Sequence, residues 1–421
     1  MARPEAERGQ LRSALDAAAI LHWFDTSLLQ KLLEISPEVA EGLVGTLSEH
    51  SFVEHYRGES DPHYNLHEST RLGWRNKFAS ERIEQFRALS LCASSCFVEN
   101  RKPRGRIEWI YHLLCGDPQL GASELEKLDR EWSGSARPED KFALAAALQE
   151  LLESGLVDGR ARARSLLAIG WSRTDWENTE RLGEIATEAL RLARKTNDKS
   201  DEADAKCLEG HVFEAQGRLE LARAAFEQGL TIFRCLAEQD PSNAGWQRDL
   251  GVMQSRVGGV LQAQGRLELA QAAFEQDLTI SRHLAERDSS NAGWQRDLAV
   301  SHSRVGVVLQ AQGRLELAQA AFEQYLTISR RLAEQDPSNA GWQRDLAVAH
   351  NRVGVVLEAQ GRLELARAAF EQDLTISRRL AEQDPSNAGW QSDLGWRTTG
   401  LVLYWRRRAG WNWRRRPLSN I

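Results

Sequence analysis

The string "GRLELARAAFEQGLTIFRCLAEQDPSNAGWQRDL" begins at Gly217 and returns almost unchanged at Gly265, Gly313 and Gly361, each 48 residues on. Trp246, Trp294, Trp342 and Trp390 keep the same period. A fixed period of this kind means that one supersecondary unit is stacked on copies of itself. Within a unit, Leu219, Ala222, Phe226, Leu230, Phe233 and Leu236 advance in steps of three and four, which is one face of a helix. Trp246, Leu250, Met253, Val257 and Leu261 do the same on another helix. "DPSN" between them supplies a turn and a capping side chain, and "AQG" places glycine where helices end. Each unit is a helical hairpin whose apolar stripes cannot be buried alone, so the spacing predicts an all-α solenoid.

These residues resemble the tetratricopeptide repeat family. In that family's frame the Trp-bearing helix is the first of each pair and the "GRLELA" helix the second. Gly258, Gly306 and Gly354 match the small residue at which the two helices cross closely. Ala222, Ala270, Ala318 and Ala366, with Phe226, Phe274, Phe322 and Phe370, match its small and aromatic pair. The chain departs from the family in its period of 48 rather than about 34 residues. It departs also at the position three after the aromatic, where Gly229, Asp277, Tyr325 and Asp373 replace a small residue. A more degenerate hairpin precedes the clear copies from about Arg162. The resemblance implies a protein or peptide ligand bound in a groove lined by the first helices. Position by position it assigns that lining to Ser255, Ser303 and Asn351, to Gly259, Val307 and Val355, and to Gln262, Gln310 and Glu358. His302 and His350 also recur at the repeat spacing, but one histidine per unit makes no metal site, and both read as surface residues.

After Gly395 the repeat gives way to "WRTTGLVLYWRRRAGWNWRRRPLSNI", rich in arginine and tryptophan. One permitted choice of codons for this tail begins TGG CGC ACA ACC GGG TTG. One G restored before them gives "VAHNRVGVVLEAQGRLELAPAAFEQY", which differs from the expected next unit only at its proline. The tail, residues 396–421, therefore reads as a frameshifted repeat. Its triple arginines are not a membrane or nucleic-acid anchor on this reading, and the last second helix loses the helix that would cover it.

Upstream, "DTSLLQKLLEI" and "SPEVAEGLVGTLSEHS" each open with a capping residue and carry helical apolar steps within residues 14–58. "FVEHYRGESDPHYNLHES" then reads as two short strands around a polar turn, with a long helix from about Thr70. Helices followed by a hairpin predict a small winged-helix-like α+β domain. Its would-be recognition helix carries Glu38, Glu41 and Glu49 and no cation, which disfavours contact with phosphates. "WFDTSLLQKLL", "SFVEHY", "YNLHESTRLG", "ERIEQFRALSL" and "EWIYHLLCGDP" resemble the winged-helix segment of bacterial signal-transduction ATPases with numerous domains, the STAND class. There the segment lies between a P-loop module and a repeat sensor, which implies a separately encoded nucleotide-hydrolysing module as a possible partner. His67 stands where that class has its Met-His-Asp histidine, with Leu66 and Glu68 in the flanking places. No G-x-x-x-x-G-K-[ST] occurs, so His67 reads as a structural histidine beside the hairpin.

The fold expected is thus all-α dominated. A winged-helix-like domain occupies 1–100, a helical connector 101–160, the extended solenoid 161–395, and the tail the remainder. Net charge of −6 argues against a general polyanion binder, and the absence of a long apolar run argues against a membrane span. The start of the chain lacks the apolar core of a secretory signal. Five scattered cysteines, with Cys92 and Cys96 on one helical face, read as core thiols of a cytoplasmic protein. His63 and His67 do not converge on a metal, and neither a nucleophile elbow nor a convergent catalytic set is present. The function expected is a non-catalytic interaction scaffold or sensor that uses no cofactor or metal. It reads as a fragment of a STAND-type regulator, with neither nucleic acid nor membrane as partner. A winged-helix transcription regulator with a repeat sensor is the alternative, and a decaying gene fragment without selected function a third possibility.

Overall fold

The structure is a computed structural model, and it describes residues 5–56, 63–135, 138–172, 179–395 and 397–398. The arginine and tryptophan tail lies outside the described residues except for Arg397 and Thr398. The chain divides into two compact units, residues 1–218 and 219–421.

In the first unit, α1 (Glu5–Ile20), α2 (Thr26–Leu33) and α3 (Pro37–Ser48) precede β1 (Val53–Tyr56) and β2 (His63–Leu66). The two predicted caps are both made. The Asp25 carboxylate accepts from Leu28 N at 2.7 Å, and the Ser36 hydroxyl accepts from Val39 N at 3.4 Å. The strands pair antiparallel, with Val53 opposite Leu66 and Tyr56 opposite His63. Sequence reading missed an isolated bridge, in which Phe24 and Tyr64 exchange backbone hydrogen bonds of 2.7 and 2.8 Å. It also began the helices at residue 14, whereas α1 runs from Glu5.

Eight further helices complete the first unit among the described residues. They are α4 (Glu68–Glu81), α5 (Ile83–Phe97), α6 (Pro103–Gly116), α7 (Pro118–Ser135), α8 (Pro138–Glu153), α9 (Gly159–Ser172), α10 (Thr179–Thr196) and α11 (Lys199–Ala215), the last followed after a turn by the second unit's α12 (Leu219–Gln239). One apolar core runs from Ala14 to Leu208. It encloses an ionic cluster in which Glu150 accepts from Arg71, Arg75 and the Tyr111 hydroxyl, and Glu108 meets His22 at 2.9 Å. Buried charges persist only when paired this way.

The second unit repeats one hairpin. After α12 come α13 (Ala244–Ala263), α14 (Leu267–Arg287), α15 (Ala292–Ala311), α16 (Leu315–Gln335), α17 (Ala340–Ala359) and α18 (Leu363–Gln383). Residues 388–395 begin another first helix. Asn243, Asn291 and Asn339 cap the first helices by accepting from Trp246, Trp294 and Trp342 N at 3.1, 3.0 and 3.1 Å. At the other end Gly265, Gly313 and Gly361 take φ of 74, 76 and 78°, where a side chain would be strained. Their turns return Arg266 N to Leu261 O at 2.9 Å and its counterparts likewise, satisfying carbonyls the helix leaves open.

The helices of a pair cross closely where the repeat pattern predicts. A Cβ on Gly258, Gly306 or Gly354 would stand 2.8, 2.5 or 2.6 Å from the ring of Phe274, Phe322 or Phe370. Phe274 and Phe322 are themselves buried, each contributing about 1.5–3 kcal/mol of apolar burial. Successive units are also tied by ion pairs: Arg248 to Asp297 at 2.5 Å, Arg296 to Asp345 at 2.5 Å and Arg344 to Asp393 at 2.8 Å.

Candidate functional site

Each first helix packs between the second helices before and after it. On α13 the residues Gly251, Met253, Gln254, Ser255, Val257, Gly258, Val260 and Leu261 are buried. Among its half-exposed residues, one line steps four, four and three residues along the helix: Arg248, Val252, Arg256 and Gly259. On α15 the same positions are Arg296, Val300, Arg304 and Val307, and on α17 they include Val348, Arg352 and Val355. The second unit thus presents, three times over, a stripe of guanidinium and small apolar groups.

The residues assigned from the sequence fall on or beside this stripe unevenly. Gly259, Val307 and Val355 lie on it, and Gln262, Gln310 and Glu358 are half-exposed one turn further. Ser255 is only 4 % exposed, beneath the stripe, and its hydroxyl lacks a partner. Ser303 is half-buried, and Asn351 donates to Asp373 at 3.0 Å. Sequence reasoning passed over Arg256, Arg304 and Arg352, because a charge on an amphipathic helix reads first as a solvated face. The stepping of three and four from Gly259 would have found them. His302 and His350, expected at the surface, are half-buried, and burial beside Arg282 pushes the His302 imidazole down to about 4.

The position three after the aromatic is where the units differ, and the structure gives it a chemistry. Asp277 is 3 % exposed, accepts from the Ser301 hydroxyl at 2.9 Å and faces Arg304 at 3.5 Å. Burial, opposed by Arg304, pushes its carboxyl up to about 6. Tyr325 instead packs between Ala299 and Ala349. Asp373, 1 % exposed, is held by Asn351 and Arg397. Arg304 is destabilised by its own burial and by Arg256, which stands near enough to repel it.

Elsewhere, His67 caps the start of α4 with its backbone, and its ring meets the Ser69 hydroxyl at 3.0 Å. His63 has a carboxylate neighbour that the sequence did not reveal, Asp25 at 3.6 Å. Among the described residues, no group of three or more His, Cys, Asp or Glu could hold a metal ion. Cys92 and Cys96 pack half-buried against the core, Cys115 and Cys207 are buried, and Cys235 is exposed. No helix among the described residues is long and apolar enough to cross a membrane.

The tetratricopeptide repeat model matches residues 203–234. No curated protein matches the sequence. Among solved structures, BtubC from P. vanneervenii is 17 % identical at a TM-score of 0.45, over 59 % of this chain and 94 % of that one. A STAND protein with a tetratricopeptide repeat sensor from Pyrococcus horikoshii is 12 % identical at 0.42. That match covers 95 % of this chain but 64 % of the other. YrrB, described as a tetratricopeptide repeat protein with an unusual peptide-binding site, is 19 % identical at 0.31, over 62 % and 99 %.

Proposed function

We propose that this tetratricopeptide repeat protein is a non-catalytic interaction scaffold that binds an extended polypeptide along α13, α15 and α17. The observation that carries this reading is the stripe itself. The same valine and arginine positions, Val252, Val300 and Val348 with Arg256, Arg304 and Arg352, stay half-exposed in all three units, while Val257, Val305 and Val353 beside them are buried. A surface repeated along a stack suits a ligand that is itself extended.

The first unit is read as a winged-helix-like adaptor, which the Phe24 and Tyr64 bridge beside the β1–β2 hairpin supports. With the sequence resemblance, this favours the adaptor and sensor portion of a STAND-type regulator, served by a nucleotide-hydrolysing partner. The transcription-regulator reading is weaker, since α3 carries Glu38 and Glu41 and no lysine or arginine to meet phosphate. The tail is kept outside the binding surface, as the product of a shifted reading frame.

A displayed library of random peptides tests the binding face. Peptides selected on the full chain should lose affinity when Val307→Ser and Val355→Ser are combined, and keep it in Leu317→Ser, which alters an exposed second-helix residue. Thermal melting of each variant checks that the fold survives. Peptides that ignore the valine changes and respond to Leu317 would move the site to the second helices.

A further inference from the structure

The charges on the proposed binding face do not balance. Arg248, Arg296 and Arg344 are each engaged by an aspartate of the following unit. Arg304 has Asp277 at 3.5 Å. Arg256 and Arg352, among the described residues, have no ion pair, and the Arg256 Nε is shielded from solvent without a hydrogen-bond partner. A partly desolvated guanidinium left in this state costs free energy that an entering carboxylate would recover. Of the chain's acids, Glu268, Glu275, Glu316 and Glu323 are exposed on the second helices.

The apolar members of the stripe refine the picture. Val252 lies one turn before Arg256 and Gly259 one turn after, where α15 and α17 have Val307 and Val355. A Cβ on Gly259 would meet nothing within 4 Å, so the first of the three stripes has open space where the other two have a valine. At the opposite end Glu358 replaces Gln262 and Gln310, which ends the cationic run.

Spacing sets the ligand's period. α15 and α17 touch directly. Axes of packed helices lie about 8–10 Å apart, and an extended chain rises about 3.3 Å per residue, so one unit corresponds to about three ligand residues.

Resting on the binding-face reading, we infer that the partner is an extended acidic polypeptide segment. It presents carboxylates about six residues apart to Arg256 and Arg352, two units apart, and seats one bulky apolar side chain over Gly259. A nucleic acid fits less well, because valines rather than further cations or aromatic rings separate the arginines.

The test uses the full chain and a fluorescein-labelled peptide of repeated Glu-Ser-Leu triplets, followed by anisotropy. A Gln-Ser-Leu peptide and labelled oligothymidine serve as comparisons. The Glu peptide should bind about tenfold or more tighter than the Gln peptide, the size of one or more charge-assisted hydrogen bonds. Arg256→Gln combined with Arg352→Gln should erase that preference, and Gly259→Val should weaken the Glu peptide several-fold. Neither arginine anchors another unit, so the double variant should melt like the parent. Equal binding of the Glu and Gln peptides, no binding of either, a preference that survives the double substitution, or tighter binding of oligothymidine would each overturn the acidic partner. If a Gln peptide binds as well as the Glu peptide and both are lost in the Val307→Ser and Val355→Ser chain, the face stands and the acidic partner falls. If neither is lost in that chain, both readings fall.

Discussion

Arg397 lies against the buried carboxylate of Asp373, at the position where Ser301 and Ala349 stand in the two preceding units. In the second unit Asp277 finds its cation three residues further along the next first helix, at Arg304. The equivalent place in the last copy is Gly400, so Arg397 takes over the neutralisation from a different turn.

Arg397→Ala leaves Asp373 buried with only neutral partners. It should destabilise the chain by about 3–5 kcal/mol, the cost of breaking a buried pair. Adding Asp373→Asn should recover most of that loss. Urea unfolding of the single and double variants measures both, and additive losses would show that the pair is not coupled.

The raised carboxyl of Asp277 makes the second unit sensitive to pH. Its proton is held more tightly folded, with the carboxyl at about 6, than unfolded at 3.8. Stability from this group is therefore full below pH 4 and declines as pH rises through 6, by on the order of 2–3 kcal/mol. Asp277→Asn should flatten that slope in a series of melts between pH 4 and 7. An unchanged slope would place the origin elsewhere.

His22 acts in the opposite pH range in the first unit. Burial alone would lower its pKa, but Glu108 at 2.9 Å reverses this and raises it to about 9. The stabilisation is complete below pH 6.5 and is lost as pH rises through 9, on the order of 2–3 kcal/mol. His22→Gln should remove the alkaline loss seen in melts from pH 6.5 to 9.5.

Two glycines on first helices should respond oppositely to one methyl group. Gly306→Ala drives a Cβ into the buried Phe322 ring and should cost about 1–3 kcal/mol. Gly259→Ala meets open space and should be neutral or stabilising by up to about 1 kcal/mol. Thermal unfolding of the two variants, side by side, checks this.

The pattern of what could be read in advance follows interaction range. Asn291, Gly313 and the Gly306 and Phe322 crossing are set by neighbours within one hairpin, so sequence spacing was enough. The bridge between Phe24 and Tyr64 was invisible, since a single extended residue carries no period. The environments of Asp277, Tyr325 and Asp373 were equally hidden, because their partners Ser301, Ala349 and Arg397 arrive from the following unit. Arg256 went unnoticed as a site residue because its lack of a partner is a property of the packed stack.

Amide hydrogen exchange, compared with and without a library-selected peptide at saturation, tests the binding face most directly. The account predicts slower exchange in peptides covering Val252–Gln262, Val300–Gln310 and Val348–Glu358, with α14 and α16 unchanged. Protection confined instead to the second helices, around exposed Leu269, Leu317 and Leu365, would contradict it.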